Sequence, residues 1–113
     1  MLEKNNRICL DKEFDRVFKT GQSFYGKVLG IKIADNNLKS TRFGIMVSLK
    51  VSKKAVVRNK LKRQIRSIIS QYLDFMKIGK DVVIIVFPLI LDKNFEEIKK
   101  ILAGGFEKLK LYK

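Results

Sequence analysis

The segment Val57-Arg58-Asn59-Lys60-Leu61-Lys62-Arg63-Gln64-Ile65-Arg66 sets arginines, lysines and one asparagine at a spacing suited to gripping phosphate. An arginine fork meets two phosphate oxygens at once, and an asparagine amide both donates and accepts at a sugar hydroxyl or base edge. The segment lies within a longer stretch, Asn36 to Leu73, that contains no acid. That stretch carries Lys39, Arg42, Lys50, Lys53, Lys54, Arg58, Lys60, Lys62, Arg63 and Arg66. A solvated helix face usually places opposite charges four residues apart, each pair gaining about 0.2–0.5 kcal/mol. Here Arg58/Lys62 and Lys62/Arg66 place like charges there, at a cost of similar size. Lys53 and Lys54 add positive charge near the positive end of the helix dipole, a second penalty that bound phosphate reverses. A polyanion lying on this face accounts for both penalties, whereas a merely solvated basic face accounts for neither. The formal charge of +14 over 113 residues points the same way.

Catalysis by the chain itself has little to work with. There is no histidine, so the commonest general acid/base and every histidine metal site are missing. The acids outside the acid-free stretch, among them Asp11, Asp15, Asp81, Glu96 and Glu97, read as helix-start, strand-start or solvated-face residues. The sequence therefore predicts no catalytic residue and no metal held by the protein. Cys9 is the single cysteine, excludes an internal disulfide, and reads as a small buried apolar residue. No apolar run approaches the length of a spanning helix, and Met1-Leu2-Glu3-Lys4-Asn5-Asn6 lacks the apolar core of a signal peptide. A cytoplasmic protein is expected, with no membrane partner.

The elements that must position the basic segment follow from periodicity. Asp11 to Gly21 has early acids, apolar Phe14, Val17 and Phe18, a late lysine and a glycine stop, which predicts a short amphipathic helix. Gln22 to Ala34 and Phe43 to Leu49 read as extended runs separated by Asp35-Asn36-Asn37, which predicts an antiparallel hairpin, with Gly26, Gly30 and Gly44 marking bulges or close backbone approach. Between Ser52 and Leu73, helical spacing lines up Val57, Leu61, Ile65, Ile68, Ile69 and Tyr72 on one stripe, with Asn59, Lys62, Arg63 and Arg66 roughly opposite. Asp81 to Phe87 is a continuous apolar run ended by Pro88 and reads as a central strand. Phe95, Ile98, Ile101, Leu102, Phe106 and Leu109 predict a last helix, with a kink at Gly104-Gly105. The order, helix, hairpin, basic helix, buried strand, helix, is that of an α/β two-layer sandwich in a single domain spanning residues 1–113. Phe14 and Phe18 are four residues apart, and two readings stay open for them: core aromatics facing the sheet, or a platform on which unpaired bases stack.

The residues Ala55-Val56-Val57-Arg58-Asn59-Lys60-Leu61-Lys62-Arg63-Gln64-Ile65-Arg66 resemble the signature A-x-x-R-N-R-x-K-R-x-x-R of the bacterial ribonuclease P protein component. Phe14 to Gly21 is similar to that family's first helix, Gly44 to Ser48 to its strand before the basic loop, and Asp81 to Ile84 to its later strand. Lys60 departs from the signature, keeping the charge of the usual arginine and losing its fork. The resemblance implies an α+β fold: a four-stranded mixed sheet, an N-terminal helix, a central basic helix in a left-handed βαβ crossover, and a C-terminal helix. It implies the protein subunit of a ribonucleoprotein endonuclease that removes the 5′ leader of precursor tRNA, with Mg²⁺ held by the RNA subunit. Ribonuclease P RNA and precursor tRNA are the implied partners, and no obligate protein partner is expected. Lys53, Lys54, Arg58, Asn59, Lys60, Lys62, Arg63 and Arg66 are expected against the RNA subunit, and Phe14 and Phe18 in a cleft that receives the leader. A general RNA-binding or ribosomal protein is the competing expectation, followed by a nuclease acting alone and a membrane-surface protein.

Overall fold

A computed structural model describes residues 4–8 and 11–113, leaving aside the side chains of Asp11 and Thr20; the expectation for Cys9 lies outside the described residues. The elements run α1 (Asp11–Thr20), β1 (Gln22–Tyr25), β2 (Leu29–Asp35), β3 (Arg42–Val47), α2 (Ala55–Tyr72), β4 (Lys80–Val86) and α3 (Phe95–Lys108), with short 3₁₀ turns at Lys4–Asn6, Leu73–Phe75 and Pro88–Asp92. The four strands form one mixed sheet in the order β1-β2-β4-β3. β4 is antiparallel to β2 and parallel to β3.

The expected hairpin between the runs over residues 22–34 and 43–49 is not formed. β4 lies between them, pairing Ile31 with Ile84 on one side and Ile45 with Ile84 on the other. Val82, Val83 and Ile84 are all fully buried, so this strand has apolar residues on both faces and belongs where both faces are covered. The connection from Asp35 to Arg42 is long enough to pass over the added strand, a step of about 10 Å at ordinary interstrand spacing. The hairpin that does form joins β1 to β2 around Gly26, whose N–H donates to the Leu29 carbonyl at 3.0 Å.

One face of the sheet carries most of the core. Leu29, Ile31, Ile33, Phe43, Val82, Ile84 and Val86 pack there against Leu61, Ile65, Ile68 and Ile69 of α2 and Ile98, Leu102 and Phe106 of α3. This is the two-layer sandwich, and the α2 stripe is the one that helical spacing predicts, with Val57 and Tyr72 half-buried at its ends. α3 begins with a capping box in which Asn94 and Glu97 bond reciprocally. It continues as one helix through Gly104 and Gly105: a Cβ at Gly105 would lie 2.5 Å from Ile31 Cδ1, so the glycine serves close helix–sheet contact. Phe43, Phe106 and Tyr112 stack edge to face from sheet to helix to chain end, at 6.2 and 6.4 Å between centroids.

Side chains alternate across a strand, so Lys32, Ala34, Asp81, Val83, Ile85, Gly44 and Met46 face the other way. α1 lies alone on this reverse face, where Val17 packs with Ile8, Ala34 and Val83. A charged cluster joins it to the sheet. Asp81 is fully buried. Its Oδ1 accepts from Arg42 Nε and Asn36 Nδ2, each at 2.8 Å, and its Oδ2 from Arg42 Nη2 at 2.6 Å and from Arg16 Nη2. Glu13 pairs with the remaining arm of Arg42. The sequence presents Asp81 as an ordinary strand-start acid; in the fold it is a buried carboxylate with both oxygens met.

Burial pushes the Asp81 carboxyl up, but the hydrogen bonds from Arg42, Asn36 and Arg16 outweigh it and hold the group below its ordinary value of 3.8. A depressed carboxylate stabilises the fold in full above its unfolded value, and that contribution is lost as pH falls through the folded value. Thermal unfolding followed from about pH 6 to 2 should show a constant wild-type advantage over D81N above about pH 5, shrinking below 3.8. In the core, Ile65→Ala should cost about 2–5 kcal/mol in denaturant unfolding, whereas Val56→Ala, at a 78% exposed position, should stay within about 0.5 kcal/mol.

Candidate nucleic-acid interface

The basic helix is amphipathic because its apolar stripe is spent on the sheet, which leaves its remaining surface to solvent. Asn59, Lys60 and Arg63 lie on the exposed ridge; Arg58, Lys62 and Arg66 run along a half-buried flank at four-residue intervals. Helical spacing alone sets Lys62 and Arg66 opposite the core. Their aliphatic stems instead lie beside it, in the manner of long cationic side chains whose heads reach water. Arg58 turns back and donates from Nη1 to the Ser52 carbonyl at 2.9 Å, pinning the loop that carries Lys53 and Lys54. Ser52 Oγ accepts from the Lys54 N–H at 3.2 Å. Lys54 is the N-cap of α2, makes no side-chain cap, and is followed by no acid in the first turn, so the first N–H groups of the helix have no such partner. Lys53, Lys54, Asn59, Lys60 and Arg63 are all exposed. The eight expected contact residues therefore occupy one loop and one helix.

The phenylalanines belong to a different surface. Phe14 and Phe18 are half-buried on α1, and with Asp15 and Met46 they line a cleft of about 500 Å³ on the reverse face. Glycines stand against two rings on this face. A Cβ at Gly44 would sit 2.4 Å from Phe14 Cε1, and one at Gly30 would sit 2.6 Å from Tyr25 Cδ1. The glycines let aromatic rings lie flat against the strands. Lys32 projects from β2 with its Nζ 5.3 Å from the Phe18 ring centroid and 5.8 Å from that of Tyr25, within cation–π range of both. Tyr25 is 55% exposed and Met46 41%. The arrangement offers rings for stacking, a flexible thioether and a cation, the combination that receives unpaired nucleotides.

Of the two readings of the Phe14/Phe18 pair, the core one holds in part, since the rings pack against the small reverse-face cluster while also lining the cleft. Met46 in the cleft wall, and Lys32 and Tyr25 beside it, are candidate residues that sequence reasoning missed. Lys32 carries a readable signal: a lone charge alternating with Ile31 and Ile33 must face away from the core they enter. Among the described residues, no group of three or more His, Cys, Asp or Glu side chains is placed to hold a metal ion, and no helix is long and apolar enough to cross a membrane.

Comparison with known proteins places this geometry. The Ribonuclease P family matches the chain over residues 2–110. A ribonuclease P protein component from Pseudanabaena sp. is 41% identical over 108 residues, covering 91% of this chain and 93% of the relative. The structure of the RNase P protein of Staphylococcus aureus superposes with a TM-score of 0.88 at 28% identity, covering 96% of this chain and 98% of that one. That of Thermotoga maritima does so at 0.79 and 28% identity, covering 87% and 92%. The four-stranded mixed sheet with three helices is the fold of these proteins. The chain belongs to the ribonuclease P protein family, and with that membership goes a part in the endoribonuclease that processes the 5′ ends of tRNA.

Proposed function

We propose that this chain is the subunit of a ribonucleoprotein in which α2 and the loop before it lie against the catalytic RNA, while the α1–sheet cleft holds the single-stranded 5′ leader of precursor tRNA. The observation that carries this reading is the separation of two surfaces of different chemistry: an acid-free cationic helix on one element and, on the opposite face of the sheet, an aromatic cleft with Lys32 beside its Phe18 ring. Duplex RNA presents phosphate and 2′-hydroxyl to a cationic surface, whereas unpaired nucleotides present ring faces as well. Each surface suits one of those states.

Lys53, Lys54, Lys60 and Lys62 would supply point charge to the RNA, Arg58, Arg63 and Arg66 forked contacts, and Asn59 a bond to a sugar hydroxyl or base edge. The open N-terminus of α2 would accept a phosphate oxygen at its free N–H groups. Phe14 and Phe18 would stack leader bases. The phosphodiester would be hydrolysed by Mg²⁺ held in the RNA subunit, and the protein's own part is electrostatic. By offsetting phosphate repulsion between leader and RNA, it would let the complex form at lower metal concentration. Among the competing expectations, a general RNA-binding protein would treat precursor and mature tRNA alike, and a nuclease acting alone would need no RNA subunit.

Binding of the catalytic RNA should weaken with salt by about 0.7–0.9 log units per log unit for each phosphate neutralised. Arg63→Ala should lower that slope by about one contact and cost roughly 1.5–3 kcal/mol of RNA affinity, with an unchanged thermal midpoint. Unaltered binding would remove α2 from the interface. Precursor cleavage at low Mg²⁺ should require the catalytic RNA and this protein together; cleavage by the protein alone, or no stimulation of the RNA, would overturn the reading.

A further inference from the structure

The cluster around Asp81 does more than satisfy a buried charge. α1 has little apolar area to hold it: among its described residues only Val17 is fully buried, and Phe14 and Phe18 are partly open to the cleft. The larger core lies on the other side of the sheet and takes nothing from α1. The position of α1 therefore depends heavily on polar contacts.

Arg16 makes the chief of these. Its Nη2 donates to Asp81 Oδ2 on β4, and its Nη1 donates to the Asp35 carbonyl at the end of β2 at 2.6 Å. One planar group thus grips two adjacent strands, a two-point hold that a lysine ammonium cannot reproduce. Asp81 is fixed in turn from the sheet side by Arg42 and from the loop after β2 by Asn36, whose amide nitrogen also donates to the Lys80 carbonyl at 3.0 Å. Formal charges balance within the group, Arg16 and Arg42 against Asp81 and Glu13. The acceptor is thus held from the sheet side, and Arg16 is the α1 group that reaches it directly, with Glu13 adding a second hold from α1 through Arg42.

Arg16 lies between Phe14 and Phe18 in the sequence of α1, so a shift of the helix moves both rings. Those rings have close tolerances: Phe14 fits over Gly44 where even a methyl group would collide, and Lys32 Nζ reaches the Phe18 carbonyl at 3.4 Å.

We propose that Asp81 is a positioning residue for the cleft: acting through Arg16, it sets the seat of α1 on the sheet and thereby the grip of Phe14 and Phe18 on unpaired nucleotides, touching none of them itself. The proposal rests on the cleft's being the leader's site. It assigns Arg16 a mechanical part although 39% of its side chain is open to solvent.

The test uses the reconstituted ribonucleoprotein, with precursor and mature tRNA affinities measured across a salt series for wild type, R16M and R16K. Both variants leave Asp81 paired with Arg42 and Asn36, and circular dichroism checks that each is folded. The expected result is a loss of precursor affinity on the order of tenfold in both variants. Mature tRNA affinity, catalytic-RNA affinity and the salt slope should stay unchanged. F18A combined with R16M should add little to either alone, because the helix shift has already withdrawn the ring. Wild-type precursor affinity in R16K, or a slope lowered by about 0.7 in R16M, would mean that Arg16 binds a phosphate directly and would overturn the proposal. So would undiminished precursor affinity in folded R16M. Equal binding of precursor and mature tRNA by the wild type would instead bring down the cleft reading itself, whatever the variants do.

Discussion

Taking a carboxylate out of water costs several kcal/mol unless its lone pairs are met by donors of good geometry. Asp81 meets that condition with groups from α1, from the start of β3 and from the loop after β2. All three lie far from Asp81 in sequence, and the need to satisfy one buried group brings them to it at one end of the reverse face. The apolar sheet face could be covered by α2 and α3 in several slightly different ways. The reverse face has fewer solutions, since a guanidinium displaced by an ångström or two loses its acceptors. The polar cluster confers on α1 the definite seat that its small apolar contact does not.

The opposite layer is organised by a different economy. α2 spends Leu61, Ile65, Ile68 and Ile69 on the core, and every charged residue left over is cationic. With no acid between Asn36 and Leu73, no carboxylate within that stretch neutralises its cations, and Arg42 is the exception, neutralised by the reverse-face cluster. That exception divides the basic residues by task. Arg42 is structural, its pKa raised chiefly by its hydrogen bond to Asp81, whereas the α2 cations lie outside that cluster and suit a polyanion.

Much of this organisation is legible in the sequence. The α2 stripe can be read because a helix with one apolar side and one cationic side has only one way to lie on a sheet. β4 can be read as central because Val82 to Val86 is apolar at both parities. The pairing of strands is not legible in the same way. A turn-rich Asp35-Asn36-Asn37 suggests a hairpin from local chemistry, and nothing local announces that a strand from much later in the chain will come between. Asp81 is illegible for a related reason. An acid at the head of a strand is ordinarily solvated, and only the fold reveals that Arg16 and Arg42 converge on it. Lys32 is the opposite case, a residue whose exposure to the cleft follows from strand alternation alone.

The placement of β4 also bears on how the chain acquires its shape. β2 and β3 cannot complete the sheet until residues 80–86 arrive to lie between them, so the first two-thirds of the polypeptide emerges from synthesis without the strand that unites it. The fold is assembled late and from distant pieces, the condition under which closure entropy slows folding. In the meantime the acid-free basic segment has already been made. During synthesis the ribosome is itself a large RNA surface, and a nascent cationic helix awaiting its strand is a segment for which folding and capture by the wrong polyanion compete in time.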